Sequence, residues 1–374
     1  MRTATLNHPT YKYVEKEAEA DAVAWVFTDH DNMVKYPFKF PEIKPNELRA
    51  NILYSGLCHT DSSWVREEWF SVNQYPICPG HEIIGVVSAL GSDVKGFKIG
   101  DQVGLGPFRD CCRQCDYCKK GYDNLCTGEA TGLVDQRWTY GDKYWGGYST
   151  AVQHPADFFV KIPSSLALEK AAPLLCAGVT MYTPISKYAK PGDDVAVLGV
   201  GGLGHVAVMI AKAWGCKVTG FTIFKDQVGM IKSLGADEVV VVDKELNAIK
   251  QKKGKYHLVL NTIFSNDEKF SDYIRMTRPL GTFCQLGLPE VCQSSPICVS
   301  DIVFNQITFV GSLVGSRKER EEMLEFCAKH NILPMCETFE FEEFPKAYEK
   351  LLHGGPKFRC VVRCKDSFRG GPKV

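Results

Sequence analysis

A short apolar run, Asp194-Val-Ala-Val-Leu198, ends in Gly199-Val200-Gly201-Gly202-Leu203-Gly204 and passes straight into a helix-forming stretch, Val206 to Ala213. Few folds accommodate that pattern. Gly199, Gly201 and Gly204 fit G-x-G-x-x-G at a strand-to-helix turn. The first glycine lets the chain turn, the second lets backbone approach a pyrophosphate, and the third lets the helix pack close to the sheet. Phosphate is then favoured at the helix N-terminus, where backbone N–H groups point outward. A second strand, Lys217–Ile223, follows about 20 residues on, as a dinucleotide fingerprint requires. An ordinary tight turn is the alternative, and the strand-before, helix-after context disfavours it.

From Asp194 onward strand and helix alternate. The pattern predicts strands at Asp194–Leu198, Lys217–Ile223, Glu238–Val242, Leu258–Asn261, Gly281–Leu286 and Thr308–Gly311. Helices are predicted at Leu203–Trp214, Lys225–Leu234 and near Phe270–Thr277. This is the signature of an α/β doubly wound parallel sheet. Upstream, Leu48–Leu57, His81–Leu90 and Asp101–Leu105 read as strands of a loop-heavy β domain, a partly open barrel. Leu168–Ala189 reads as helix interrupted at Pro173 and Pro184, carrying the domain boundary. An amphipathic helix, Arg317–His330, and a closing strand, Phe358–Arg363, end the fold. A length of 374 residues suits two domains. Forty-four basic residues balance 44 acidic ones, which offers no argument for nucleic acid or an anionic membrane. Met1–Ala24 lacks a signal-type apolar core and no stretch reaches bilayer length, so the cytoplasm is the expected location.

Sixteen cysteines in a chain of this kind read as metal ligands and buried thiols rather than a disulfide scaffold. Cys112, Cys115 and Cys118 fall at i, i+3 and i+6, with Cys126 eight positions later. Four thiolates so close in sequence can close a tetrahedron around zinc with no position left for water, a structural site. A second, scattered set comprises Cys58, His81 with Glu82, and Cys176. Two Cys and one His are the ligand set of a catalytic zinc with an open fourth position. Each alone is more often a buried structural residue, and spacing does not bring them together.

The matching motifs are Gly56-Leu-Cys-His-Thr-Asp61, Pro79-Gly-His-Glu-Ile-Ile-Gly-Val-Val87, the Cys112–Cys126 loop, Ala171–Thr180, Leu198–His205 and Gly311-Ser-Leu-Val-Gly-Ser316. Through them the chain resembles the zinc-dependent medium-chain alcohol dehydrogenases, in particular their cinnamyl alcohol dehydrogenase-like branch. The likeness runs from about residue 20 to residue 363. It implies a β-rich GroES-like catalytic domain, residues 1–177 and 315–374, and a Rossmann domain, residues 178–314. It implies two zinc ions per chain. One is held by Cys58, His81 and Cys176, with Glu82 a ligand when substrate is absent and Asp61 orienting His81. Thr60 would pass the alcohol proton toward the cofactor ribose. Thr180, Thr262, Gly287, Ser312, Leu313 and Val314 fall where family members touch the cofactor, beside Gly199, Val200, Gly201, Gly202, Leu203 and Gly204. The partners implied are a small alcohol or aldehyde and a second copy of the chain, paired through the segment Pro296–Gly311.

Three departures bear on specificity. Ser63 stands where the family often has the His that ends the proton relay. Thr127-Gly-Glu-Ala-Thr131 follows Cys126 where lignin-forming members carry an aromatic. The loop after Cys58 holds Trp64, Trp69 and Phe70. At the end of the second strand, Thr222 replaces the acidic residue of NAD-selective folds, and Lys225 lies three positions on, which favours NADP(H). The expected activity is hydride transfer between NADP(H) and an alcohol or aldehyde. The alternatives are a same-fold reductase of activated double bonds and a catalytically silent nucleotide-binding relative; intact zinc ligands disfavour both.

Overall fold

The computed structural model describes residues 8, 10–68, 75–128, 145–263, 269–288, 294–354 and 358–364. Trp69, Phe70 and Thr131 lie outside these. The chain forms two compact units. The first takes residues 1–176, 316–328 and 333–374; the second takes 177–315 and 329–332.

In the first unit, β1 (Lys12–Tyr13), β2 (Ala22–Phe27) and β3 (Met33–Lys39) make a small antiparallel sheet ordered β1-β3-β2. The main sheet is built on β4 (Glu47–Leu57), which pairs antiparallel with β5 (Glu82–Leu90). Between them lies α1 (His59–Val65). Beyond β5 come β6 (Gln102–Leu105), α2 (Asp116–Lys119), β7 (Ala151–Pro155) and β8 (Phe159–Lys161); β6 pairs with β5 and β8, while β7 pairs with β4. Then α3 (Leu168–Pro173) ends at a proline, whose missing N–H cannot continue the ladder. The next residues, Leu174–Gly178, form one π turn.

The second unit begins with α4 (Val179–Tyr188), which runs unbroken through Pro184. The expected interruption therefore falls only after Pro173. There follow β9 (Asp194–Leu198), α5 (Gly204–Ala213), β10 (Lys217–Thr222), α6 (Val228–Ser233), β11 (Glu238–Val241) and α7 (Asn247–Lys250). After these come β12 (Tyr256–Asn261), α8 (Lys269–Arg275), β13 (Thr277–Gln285), α9 (Val299–Asn305) and β14 (Thr308–Gly311). The strands pair parallel in the order β11-β10-β9-β12-β13-β14. Apolar runs such as Val195–Leu198 are buried throughout, as a sheet covered on both faces demands. Ala196, Phe221, Tyr256, Val259 and Phe283 form the centre of its core. The doubly wound sheet is thus as expected. Ile302-Val303-Phe304, however, lie on α9, and only Thr308–Gly311 of that apolar segment is strand.

The chain returns to the first unit with α10 (Arg317–His330), whose last two residues count with the second, and then β15 (Cys336–Glu340), α11 (Phe344–Glu349) and β16 (Arg359–Arg363), which pairs with β4. The β-rich unit is present, and the strands Ala22–Phe27 and Met33–Lys39 add to those foreseen. No helix among the described residues is long and apolar enough to cross a membrane.

Phe344 anchors the aromatic cluster of this unit. It is 0% exposed, with Tyr148 at 4.5 Å, Tyr348 at 5.9 Å and Trp25 at 6.0 Å between ring centroids. Phe344→Ala should therefore cost about 3–5 kcal/mol, read from denaturant unfolding.

Candidate metal centres and nucleotide-binding edge

Register explains how distant residues meet. Gly56 on β4 lies opposite Glu82 on β5, so Cys58 follows one strand end and His81 precedes the other. Cys176 enters from the π turn, whose extra residue re-aims the helix after Pro173. Ligand atoms of Cys58, His81, Glu82 and Cys176 all lie within 4.8 Å of one another, and all four residues are buried. A Cβ on Gly56 would fall 2.0 Å from Glu82 Oε2, so only glycine leaves room for that carboxylate. Among the described residues, Glu82 Oε2 has no hydrogen-bond partner, while Oε1 pairs with buried Arg359. A buried carboxylate oxygen left bare beside two thiols and an imidazole suits a cation.

The electrostatics agree with that reading. The Cys58 thiol is pulled well below its ordinary value by the Cys176 thiol, with help from His81 and Arg359. Against the cost of burial, the Asp61 carboxylate raises His81 well above its ordinary value. Burial pushes Glu82 up to about 7, with Arg359 pulling the other way.

Asp61 occupies the third position of α1. Its Oδ2 accepts the Cys58 N–H at 3.2 Å and the Tyr148 hydroxyl at 2.7 Å. Its Oδ1 accepts the Gly80 N–H at 3.0 Å and lies 2.9 Å from His81 Nδ1. With Nδ1 turned to Asp61, Nε2 is the ring nitrogen that faces Cys58 and Glu82 and would meet a metal. Thr60, half-buried, and Ser63, 9% exposed, sit three apart on α1 and share a face.

Cys112, Cys115, Cys118 and Cys126 also place their sulfurs within 4.8 Å of one another. Backbone N–H groups turn toward these sulfurs: Cys115 and Gln114 donate to Cys112 Sγ, and Cys112 and Gly128 donate to Cys126 Sγ. Such donors favour thiolate, and the N–H of Cys118 is foremost in holding Cys115 down to about 5. Four sulfurs with donors to the thiolate form fit a closed zinc site.

In the second unit, Phe221, Leu198, Asn261, Gln285 and Gly311 fall in one row across the parallel strands. The residues just past that row share one sheet edge: Gly199–Gly204, Thr222, Thr262, Gly287, and Ser312, Leu313 and Val314. Ligands bind at the carboxyl ends of such strands, where the order reverses, here around β9. Gly199 has φ +82°, and Thr262 Oγ1 donates to its carbonyl and to that of Leu198, both at 2.8 Å. A Cβ on Gly204 would lie 2.1 Å from the Gly199 carbonyl oxygen, whereas one on Gly201 would meet nothing within 4 Å. Val200 is buried, and Gly202 and Leu203 are half-buried. Thr180, 8% exposed, stands in the first turn of α4.

Thr222 ends β10 with its hydroxyl engaged inside the protein. It is 5% exposed, accepts the Phe224 N–H and donates to Gln227 Oε1 at 3.0 Å, so its hydroxyl proton is already used. Gln227 thus turns its amide N–H groups away from Thr222. Sequence reasoning passed over Tyr148 and Arg359, which no local motif marks; Gln227 reads from the sequence only as a poor phosphate partner.

Residues 44–164 match the alcohol dehydrogenase GroES-like domain, and residues 202–329 match the zinc-binding dehydrogenase family. The chain is 38% identical over 327 residues to an NADP-dependent alcohol dehydrogenase C of Mycolicibacterium smegmatis, covering 86% of this chain and 91% of that protein. Among solved structures it is similar to a cinnamyl alcohol dehydrogenase of Sorghum bicolor, with TM-score 0.85, 30% identity, and 94% and 99% of the two chains covered. It is also similar to a Helicobacter pylori enzyme of that name complexed with NADP(H), with TM-score 0.82, 33% identity, and 93% and 99% covered.

The two glycines separate folding from ligand access. Gly204→Ala should cost about 1–3 kcal/mol of stability through overpacking. Gly201→Ala should leave the unfolding midpoint near wild type yet weaken dinucleotide binding at least tenfold, measured by calorimetric titration.

Proposed function

The chain belongs to the zinc-binding medium-chain alcohol dehydrogenases, within their cinnamyl alcohol dehydrogenase-like branch, and we propose that it exchanges a hydride between NADP(H) and a small alcohol or aldehyde, aromatic or allylic. The observation that carries this reading is the buried cluster of Cys58, His81, Glu82 and Cys176 in one unit of a chain with an intact dinucleotide edge. Zinc there would supply Lewis acidity toward the alcohol or carbonyl oxygen. NADP(H) would supply or accept the hydride.

The chain's own residues do the rest. Cys58, His81 and Cys176 hold the ion, Asp61 fixes the His81 tautomer, and Glu82 stands by, held by Arg359. Thr60 takes the alcohol proton through its hydroxyl, and Ser63 on the same helix face passes it to water, since a serine hydroxyl both donates and accepts. Cys112, Cys115, Cys118 and Cys126 hold a second, structural zinc.

Two relatives whose names carry NADP support that cofactor. Thr222 presents no carboxylate to repel a 2′-phosphate, and Lys225 and the Gln227 amide are the donors near the strand end. Two chains pair along β14, the outer strand of its sheet. The exposure of Val303 (62%), Phe304 (85%) and Phe309 (37%) supports a covered edge there. Light scattering should give twice the 41.7 kDa chain mass.

Elemental analysis should find two zinc ions per chain. Cys112→Ser should lower folding stability, while Cys176→Ser should mainly abolish turnover. Across a panel of aldehydes, kcat/KM should be higher with NADPH than with NADH. Thr222→Asp should reverse that order by introducing like charge and disrupting the Gln227 amide, at a cost of ~1.5–3 kcal/mol toward NADPH. A wild type that favours NADH would refute the cofactor assignment.

A further inference from the structure

Asp61 is 0% exposed and accepts from four donors. Two are backbone N–H groups, of Cys58 and Gly80, and one is the His81 ring. The fourth is the hydroxyl of Tyr148, at 2.7 Å the shortest of the set. Of the four, this one alone comes from a side chain that is not itself a candidate ligand.

Tyr148 is built into its place. Its N–H donates to the Pro79 carbonyl at 3.0 Å, and its carbonyl accepts the Trp25 N–H at 2.8 Å. Its ring is 1% exposed and packs on Phe344 at 4.5 Å. Gly80 and Gly147 let the two strands of backbone close on one another, for a Cβ on Gly80 would fall 2.8 Å from both Gly147 N and Tyr148 N. The segment that carries Tyr148 is thus pinned to the Pro79–Gly80 turn that precedes His81. Burial, then the nearby Asp61 charge, holds the phenol well above its ordinary value, so it stays a donor.

We propose that Tyr148 is a positioning residue of the metal site: by donating to Asp61 Oδ2 it sets how tightly that carboxylate grips the Cys58 N–H and the His81 imidazole, and so how firmly zinc is held. The mechanism is one of orientation: the phenol fixes the Asp61 carboxylate in the plane that meets both the Cys58 N–H and His81 Nδ1, and without that donor the carboxylate is freer to turn, loosening the placement of the ligating nitrogen. The proposal rests on the reading that Cys58, His81 and Cys176 bind zinc.

Tyr148→Phe keeps the ring and deletes only the hydroxyl. With a chromogenic zinc chelator, release of the labile zinc should speed about tenfold relative to wild type, the low end for loss of an outer-shell partner. Release from the four-cysteine site should not change. The visible absorption of the protein carrying cobalt at the open site should shift. Site-specific 3-fluorotyrosine at 148, the same ring with a more acidic hydroxyl, should shift it the opposite way and slow release; this variant serves even if Tyr148→Phe does not fold. Phe344→Leu disturbs the packing beneath the ring without touching the hydroxyl. It should lower the unfolding midpoint and leave release and spectrum as in wild type. Release within twofold of wild type and unshifted spectra in the Tyr148 variants overturn the proposal while the zinc reading stands. A wild type that binds no metal at Cys58, His81 and Cys176 overturns both.

Discussion

Much of the first unit hangs on one carboxylate. Asp61 ties together the chain before α1, the turn before β5 and the segment carrying Tyr148, three stretches far apart in sequence. An ionised group with no exposure is costly unless its lone pairs are filled, and here four donors fill them. Saturation has a structural consequence. Any movement of Cys58 or His81 relative to the other breaks a bond to a buried charge, so the two are held as a unit whether or not an ion lies between them. Cooperativity of this kind explains how a site on loops acquires the rigidity of a site on strands.

How much of this was legible in the sequence depends on how local each constraint is. Gly204 answers to the Gly199 carbonyl five residues back, Gly201 to open space and Gly199 to its own positive φ, so the motif carries most of its explanation, although Gly199 also faces the distant Thr262 and Ile263. The four-cysteine set is equally local, since its loop spans Cys112 to Cys126. Cys58, His81 and Cys176 are different. Their meeting depends on the pairing of Gly56 with Glu82 and on a single π turn after Pro173, and neither is written in residue spacing. Resemblance supplied what spacing did not. Tyr148 had no signal at all, because its role is fixed by a hydrogen bond to a residue 87 positions away.

Proline and apolar runs show the same limit from another side. Pro173 and Pro184 look alike as helix breakers, yet one precedes a π turn and the other sits inside a continuous helix. Each lacks one N–H, and whether the helix closes around that gap is decided by packing. Ile302-Val303-Phe304 could be read as strand or helix from hydrophobicity alone, as short apolar runs often can. In the structure they form α9, leaving Thr308–Gly311 as the sheet's outer strand.

The strand end after β10 shows why a residue type does not by itself fix specificity. Thr222 meets the expectation of a neutral residue where NAD-selective folds place an acid. Its hydroxyl nevertheless points inward, accepting from Phe224 and donating to Gln227. In the cofactor reading proposed above, Thr222 therefore acts indirectly: it holds the Gln227 amide with its oxygen toward the strand end. Lys225 adds a charge, and Asp226 beside it subtracts one. A site that meets a 2′-phosphate with an oriented amide and one lysine discriminates by hydrogen bonding more than by net charge. Neutral donors are worth about half of what charge-assisted ones contribute, so the preference for NADPH proposed for this edge is a graded one, with NADH admitted.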